Sequence, residues 1–276
     1  MSSLKTLAQK AKNRLKAISN DNILGEETSR PKSYSEACLS ARLQYAIISS
    51  QKRVQDDPLY NKVKRMLTKN IDVSGVEGCI MSSVMPSIAT IIKDAIKCVF
   101  KVDVLMFGAG VKSGMSIQVD NPSEVGTDLI AACVGAVSKY GKPLLLVDFG
   151  TATKINVVDK NGAFVGCVIA PGLKISQEAL INVASQLPII SYEAPRKVIG
   201  KNTKDSMNSA AIYGTASMID GMIKKIEREL GYTTIKLATG GLVELIAPFC
   251  ETPLNIDHEI LLYGLYKIFL KNRGLK

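Results

Sequence analysis

The stretch LLLVDFGTATKINVVD, residues 144–159, decides the fold class of this 276-residue chain. Its first half is a continuous apolar run typical of a buried strand, and the run ends at Asp148. Gly150 and Thr151 then predict a tight turn, and a second strand follows over 153–158. Backbone N–H groups and a hydroxyl exposed in such a turn suit a phosphate, and Asp148 beside them can hold a cation that offsets the phosphate charge. The alternative is an ordinary hairpin whose polar side chains satisfy their own turn.

Strands and helices alternate on both sides of this segment. The predicted strands lie in 78–84, 103–107, 142–150, 153–159, 162–170 and 234–241. The predicted helices lie in 86–98, 122–138, 173–186, 206–230 and 258–271. This alternation predicts an α/β fold.

The first 70 residues differ from the rest in charge. They contain 14 Lys and Arg against 6 Asp and Glu, whereas residues 71–276 contain 21 against 19. Apolar positions at helical spacing predict a basic amphipathic helix at the start and further helices over 35–53 and 58–69, with no strand before residue 70. A basic helix is usually a solvated face, and no DNA or RNA module is recognisable. Nucleic-acid binding through residues 1–70 is therefore the less favoured alternative.

The composition excludes several classes of protein and site. No apolar run reaches the length of about 18 residues that a membrane-spanning helix needs, and the charged start carries no signal peptide. Six scattered cysteines without metal-ligand spacing are expected to be reduced, which favours a cytoplasmic protein. The single histidine, His258, excludes a two-histidine zinc site and is expected near a helix start. The chemistry must then use carboxylates, backbone amides and hydroxyls.

Three further loops carry residues suited to anion or nucleotide binding. Asp128 is predicted inside a helix that begins near Pro122. Aspartate has poor propensity for the interior of a helix, so either a functional role or a solvent-facing position accounts for Asp128. Pro171-Gly172 joins a strand to a helix whose first amides could receive an anion. Gly240-Gly241 joins another strand to a helix and would let backbone approach a nucleotide closely.

The order of these loops resembles the type III pantothenate kinase family, which includes the Bvg accessory factors linked to transcriptional control. The motifs that carry the resemblance are SSVMP (82–86), DNP (120–122), GTD (126–128), DFGTAT (148–153), IAPGL (169–173), IGKNT (199–203) and TGGL (239–242). The resemblance spans about residues 71–272 and implies a duplicated ribonuclease-H-like fold of the actin, sugar-kinase and Hsp70 superfamily. By this comparison residues 1–70 form a basic helical segment, 71–139 a remnant of the first domain, and 140–276 the second domain.

The resemblance also implies a reaction and a set of site residues. The reaction is phosphorylation of pantothenate by ATP with Mg²⁺ and a monovalent cation, K⁺ or NH₄⁺, in a homodimer. Asp128 would be the general base, and Asp148 would coordinate the monovalent cation. The substrate would meet Gly126, Thr127, Leu129 and Thr203, and ATP would meet Gly150, Thr151, Gly240 and Gly241.

The chain departs from the family pattern at several positions. The opening Asp-x-Gly-Asn-Thr phosphate loop has no counterpart, and the family's substrate arginine is Leu129. The family motifs carry a threonine, a glycine and a tyrosine where this chain has Lys154, Cys167 and Val119, respectively. Residues 1–70 are then an evolved replacement, a fusion or an incorrect gene start. The alternative function is a catalytically impaired paralogue that acts as a binding or regulatory protein.

Overall fold

The computed structural model describes residues 58–70, 75–83, 85–184 and 186–274. These residues form two compact units. The first unit takes in the described parts of 1–113 and 265–276 together with Gly126–Ala131, and the second takes in Gly114–Val125 and Ala132–Gly264. The helices predicted before residue 54 lie outside the described residues.

The first unit contains two complete helices and a short parallel sheet, together with the start of a third helix and most of the last one. The complete helices are α1 (Pro58–Asn70) and α2 (Pro86–Phe100), and the strands are β1 (Cys79–Met81) and β2 (Val104–Met106). Proline is favoured at the first position of a helix because its missing N–H would have no intrahelical partner, and α1 begins at Pro58 as predicted. The two helices and the sheet share one apolar core, which includes Tyr60, Val63, Leu67, Met81, Ile88, Ile92, Ile96 and Val104.

The second unit contains a five-stranded sheet. Its strands are β3 (Leu144–Phe149), β4 (Ala152–Val158), β5 (Phe164–Pro171), β6 (Ile235–Thr239) and β7 (Asn255–Ile256). The remaining α-helices of the described residues are α3 (Thr127–Tyr140), α4 (Leu173–Val183), α5 (Thr203–Ser209), α6 (Thr215–Leu230), α7 (Val243–Ile246) and α8 (Ile260–Arg273). A π-helical segment, Ala210–Gly214, joins α5 to α6.

The strand order is β5-β4-β3-β6-β7, with β4 antiparallel to both neighbours and β3, β6 and β7 parallel. Strand β3 lies at the centre and is buried along nearly its whole length, which explains its continuous apolar sequence. One face of the sheet shares a core with α6 and α7. That core includes Leu145, Val147, Phe149, Ile155, Ile219, Ile223, Val243 and Ile246. The predicted α/β fold class is confirmed.

The cysteines and the histidine have the ordinary roles expected of them, with one exception. Every described cysteine is a free thiol, and burial raises the pKa of Cys79 to about 11 and that of Cys250 to about 12. The exception is Cys167, which is exposed on β5. His258 precedes α8, as predicted, and its Nε2 lies 2.9 Å from Glu244 Oε1. Within the described residues, no helix has the length and apolar character to cross a membrane.

Candidate active site

The turn between β3 and β4 lies at the carboxyl end of the central strand. Strands β3 and β6 run parallel with Asp148 opposite Thr239, so the loops that follow both strands emerge at the same edge of the sheet. The Gly150 N–H donates to the Ala152 carbonyl at 3.3 Å and closes the turn. Thr151 is exposed at its tip. Ligands of open α/β sheets bind at the carboxyl ends of parallel strands, so this edge is where a nucleotide is expected.

The loop after β6 is in direct contact with the turn after β3. Gly240 has a φ of +101°, and a Cβ atom built there would lie 2.6 Å from the backbone N and O of Phe149 and 2.7 Å from Asp148 Oδ1. The Leu242 N–H also donates to the Phe149 carbonyl at 3.2 Å. Only glycine allows this close approach at this φ. The structure therefore brings Asp148, Gly150 and Gly240 together, while Gly241 is exposed with open space beside its Cα.

The third predicted loop, Pro171-Gly172, supports this turn. The Gly172 N–H donates to the Thr151 carbonyl at 3.1 Å, and a side chain at Gly172 would overlap the carbonyl oxygens of Gly150 and Thr151. The Gly172 N–H is therefore not available to an anion, because it is already bonded to the neighbouring loop. Anion binding by the first amides of α4 itself stays a prediction. The role of Gly172 is to hold the turn in position.

A contact that the sequence analysis did not anticipate lies beside the turn. Lys154 stands opposite Asp148 in the register of β3 and β4, and its Nζ lies 3.0 Å from Asp148 Oδ2. Both side chains are largely covered, with 17% and 26% of their surfaces exposed. The predicted two-residue turn at Gly150-Thr151 would have placed Thr153 opposite Asp148. In the structure three residues, 150–152, separate the opposed Phe149 and Thr153, and this register brings Lys154 opposite Asp148.

Asp128 belongs to the first unit, and its setting corrects one expectation. The helix does not begin near Pro122. The Asn121 side chain caps a short 3₁₀ turn at Pro122–Glu124, and α3 begins only at Thr127. Asp128 therefore lies in the first helical turn, where a negative charge is favoured by the helix dipole. The argument from poor mid-helix propensity is wrong, and the role of Asp128 has to rest on the family resemblance.

The neighbours of Asp128 are held by a short hydrogen bond. The Oγ atoms of Ser82 and Thr127 lie 2.7 Å apart, and Ser82 is 2% exposed at the end of β1. A Cβ atom on Gly126 would lie 2.5 Å from Asp128 Oδ1, so the carboxylate packs against the glycine. Ser82 belongs to the SSVMP motif, and its contact with Thr127 gives it a structural role near the proposed base.

The remaining predicted residues have different surroundings. Leu129 is buried in α3, with 9% of its surface exposed. Thr203 is exposed at the start of α5, which is capped by Asn202 through a 2.8 Å hydrogen bond from the Asp205 N–H. Their assignment to the substrate stays a prediction. Among the described residues, no group of three or more His, Cys, Asp or Glu side chains could hold a metal ion.

Comparison with known proteins agrees with the resemblance. The family model for type III pantothenate kinase matches residues 36–225. A type III pantothenate kinase from an Exiguobacterium strain is 41% identical over 74% of this chain and 80% of its own length. Another type III pantothenate kinase, from Halalkalibacterium halodurans, is 37% identical over 83% of this chain and 90% of its own length.

A solved structure from Campylobacter jejuni, described as a Baf family transcriptional activator, is 19% identical over 72% of this chain and 84% of its own length, with a TM-score of 0.47. The family match begins inside the basic segment and includes Asp128, Asp148 and the turn between β3 and β4. From the family match and these two sequence relatives, the chain belongs to the type III pantothenate kinase family.

Proposed function

We propose that the chain transfers the γ-phosphoryl group of ATP to pantothenate, which yields 4′-phosphopantothenate in the first step of coenzyme A biosynthesis. Family membership supports this reaction, since the relatives compared above are named type III pantothenate kinases. The observation that carries the proposal is the contact of Gly240 with Asp148 and Phe149 at the carboxyl ends of β3 and β6. The free cysteines favour the cytoplasm as its location.

ATP enters this scheme as its Mg²⁺ complex, so the divalent ion is part of the substrate. Mg²⁺ usually keeps several waters and is held by substrate phosphates with few protein ligands, which suits a chain whose described residues offer no acidic cluster. The Gly150-Thr151 turn would receive the phosphates through backbone N–H groups and the threonine hydroxyl. Gly240 and Gly241 would line the adenosine, because backbone without side chains permits close approach.

Asp128 would take the proton from the pantothenate hydroxyl as it attacks the γ-phosphorus. Gly126, Thr127, Leu129 and Thr203 would contact the same substrate. The Ser82–Thr127 hydrogen bond would fix the start of α3 and with it the direction of the Asp128 carboxylate. Phosphoryl transfer depends mainly on positioning and charge neutralisation, and a positioned base adds about 10²–10⁴-fold.

Position 129 favours a second candidate function, that of a catalytically impaired paralogue with a binding or regulatory role. Where the family carries an arginine, this chain has the buried Leu129. An arginine can donate two parallel hydrogen bonds to a carboxylate or a phosphate, and a leucine can donate none. This paralogue would still bind nucleotide or pantothenate, without turnover.

We propose that the chain forms a homodimer. The apolar side chains exposed on β5, α4 and the segment before α5 are Ile169, Ile175, Leu180, Val183, Ile189, Val198 and Ile199. Exposed apolar side chains in this number favour a protein partner, and a second copy fits the family. Sedimentation analysis should give twice the chain mass. Val183→Glu, at a side chain that is 89% exposed, should shift the equilibrium toward monomer, whereas a monomeric wild type would contradict the proposal.

Pantothenate-dependent release of ADP tests the proposed function. The wild-type chain should release ADP only when pantothenate is present, and Asp128→Asn should lower kcat by about 10²–10⁴-fold with little change in ADP affinity. Asp103→Asn is the matched control, because Asp103 is exposed in the same unit and its carboxylate pairs with the exposed Lys97. Ligand binding by calorimetry without any turnover would instead support the impaired paralogue.

A further inference from the structure

The contact between Lys154 and Asp148 is a built feature of the sheet. The two residues are directly opposed in the β3–β4 register, and Nζ lies 3.0 Å from Oδ2. The pair resembles Lys236–Glu227, another partly covered pair of this unit, whose side chains are each 19% exposed. Coverage of this kind reduces solvent screening, so the ammonium acts on Asp148 more strongly than a surface lysine would.

Both oxygens of Asp148 face parts of the chain itself. Oδ2 binds the Lys154 ammonium. Oδ1 faces the Cα of Gly240 and that of Gly150, where added Cβ atoms would lie 2.7 Å and 3.4 Å from it. A monovalent cation at Asp148 would have to share the carboxylate with an ammonium of the same charge, and like charges repel. The residues present do not fit the K⁺ or NH₄⁺ that the family resemblance assigns to Asp148.

A carboxylate beside a phosphate-binding turn needs a positive charge next to it. Asp148 lies two residues before Gly150, and without a counter-charge it would repel the triphosphate. A bound monovalent ion is one solution. The Lys154 ammonium is another, and being tethered it needs no binding equilibrium. The Lys154 ammonium therefore places next to Asp148 the positive charge that a dissolved cation would otherwise supply.

We propose that the Lys154 ammonium acts as a built-in monovalent cation at Asp148, so that this chain needs neither K⁺ nor NH₄⁺. The consequence for turnover rests on the proposed kinase function, whereas the consequence for cation binding does not. Lys154 is a positioning residue in this scheme, since it acts on the phosphate site through Asp148.

Thermal unfolding of the unliganded full chain tests the cation inference directly. The wild type should melt at the same temperature in KCl and in choline chloride of equal ionic strength. Lys154→Thr should show a saturable rise in melting temperature with KCl only, and Asp148→Asn added to it should abolish that rise. Lys236→Thr removes a pair of similar burial and should lose stability without any response specific to K⁺. A response specific to K⁺ in the wild type, or none in Lys154→Thr, would overturn the inference.

Turnover gives the second readout. ADP release by the wild type should differ by less than about twofold between the two salts, whereas Lys154→Thr should lose about tenfold or more in choline chloride and recover in KCl or NH₄Cl. Lys154→Arg keeps the charge and should stay independent of K⁺. Full activity of Lys154→Thr in choline chloride would overturn the inference. A wild type that releases no ADP in either salt would refute the kinase proposal, while the melting experiment would still decide the cation question.

Discussion

Replacing Gly240 by alanine tests whether the loops after β3 and β6 form one site. The φ of +101° alone costs an L-residue about 1–2 kcal/mol. The new Cβ would lie 2.6 Å from backbone atoms of Phe149, in the central strand, which cannot move aside as a side chain can. Overpacking of this kind adds about 1–3 kcal/mol, so we expect Gly240→Ala to lose about 3 kcal/mol of unfolding free energy.

Gly241→Ala is the matched control for this substitution. The neighbouring Gly241 has no atom within 4 Å of an added Cβ, so its variant should stay within about 0.5 kcal/mol of the wild type. Thermal unfolding followed by circular dichroism should show Gly240→Ala melting about 10 °C lower, and calorimetry should show ADP bound about tenfold more weakly or worse. Equal melting temperatures for the two variants would refute the packing argument. Unchanged ADP affinity in a destabilised Gly240→Ala would refute the placement of ATP at this loop.

Two further predictions concern buried polar groups. Burial alone would raise the pKa of Asp257, but hydrogen bonds from Lys139, a backbone N–H and Tyr140 outweigh it and hold the pKa below its usual value. A carboxyl with a lowered folded-state pKa gives stability that is present above its unfolded pKa and is lost as pH falls through the folded pKa. Urea unfolding should therefore show that the free energy of unfolding falls below about pH 4. This fall should be smaller in Asp257→Asn than in the wild type, and equal pH profiles for the two proteins would contradict the prediction. Ser82→Ala leaves the Thr127 hydroxyl without this contact, so steady-state kinetics should show a raised KM for pantothenate with unchanged ADP affinity, and an unchanged KM would remove Ser82 from the substrate site.

Local sequence rules predicted most of the second unit correctly. The apolar run before Asp148 and the two-residue Gly-Thr turn were enough to predict β3, β4 and the hairpin between them. The start of α1 at Pro58 was also correct, since the proline signal is local. The contact of Gly240 with Asp148 and Phe149 was not predicted, because it depends on β3 and β6 lying side by side and parallel in the sheet.

Other features depended on contacts that sequence spacing does not reveal. The start of α3 moved to Thr127 because the Asn121 cap favours a separate 3₁₀ turn. The π-helical segment Ala210–Gly214 interrupts what the periodicity predicts as one helix. The N–H of Gly172, just before α4, bonds to the Thr151 carbonyl in the adjacent loop, a contact that the sequence did not predict. At Asn121 and at Gly172, hydrogen bonds that sequence spacing does not reveal decided the local structure.

The central claim is that this chain phosphorylates pantothenate, and ³¹P NMR of the reaction mixture tests it most directly. Purified full-length protein with MgATP and pantothenate should produce one new phosphomonoester resonance, with ADP appearing in equal amount, and omission of pantothenate should abolish both. A folded protein that leaves ATP and pantothenate unchanged, or that releases inorganic phosphate in place of the phosphomonoester, would contradict the account.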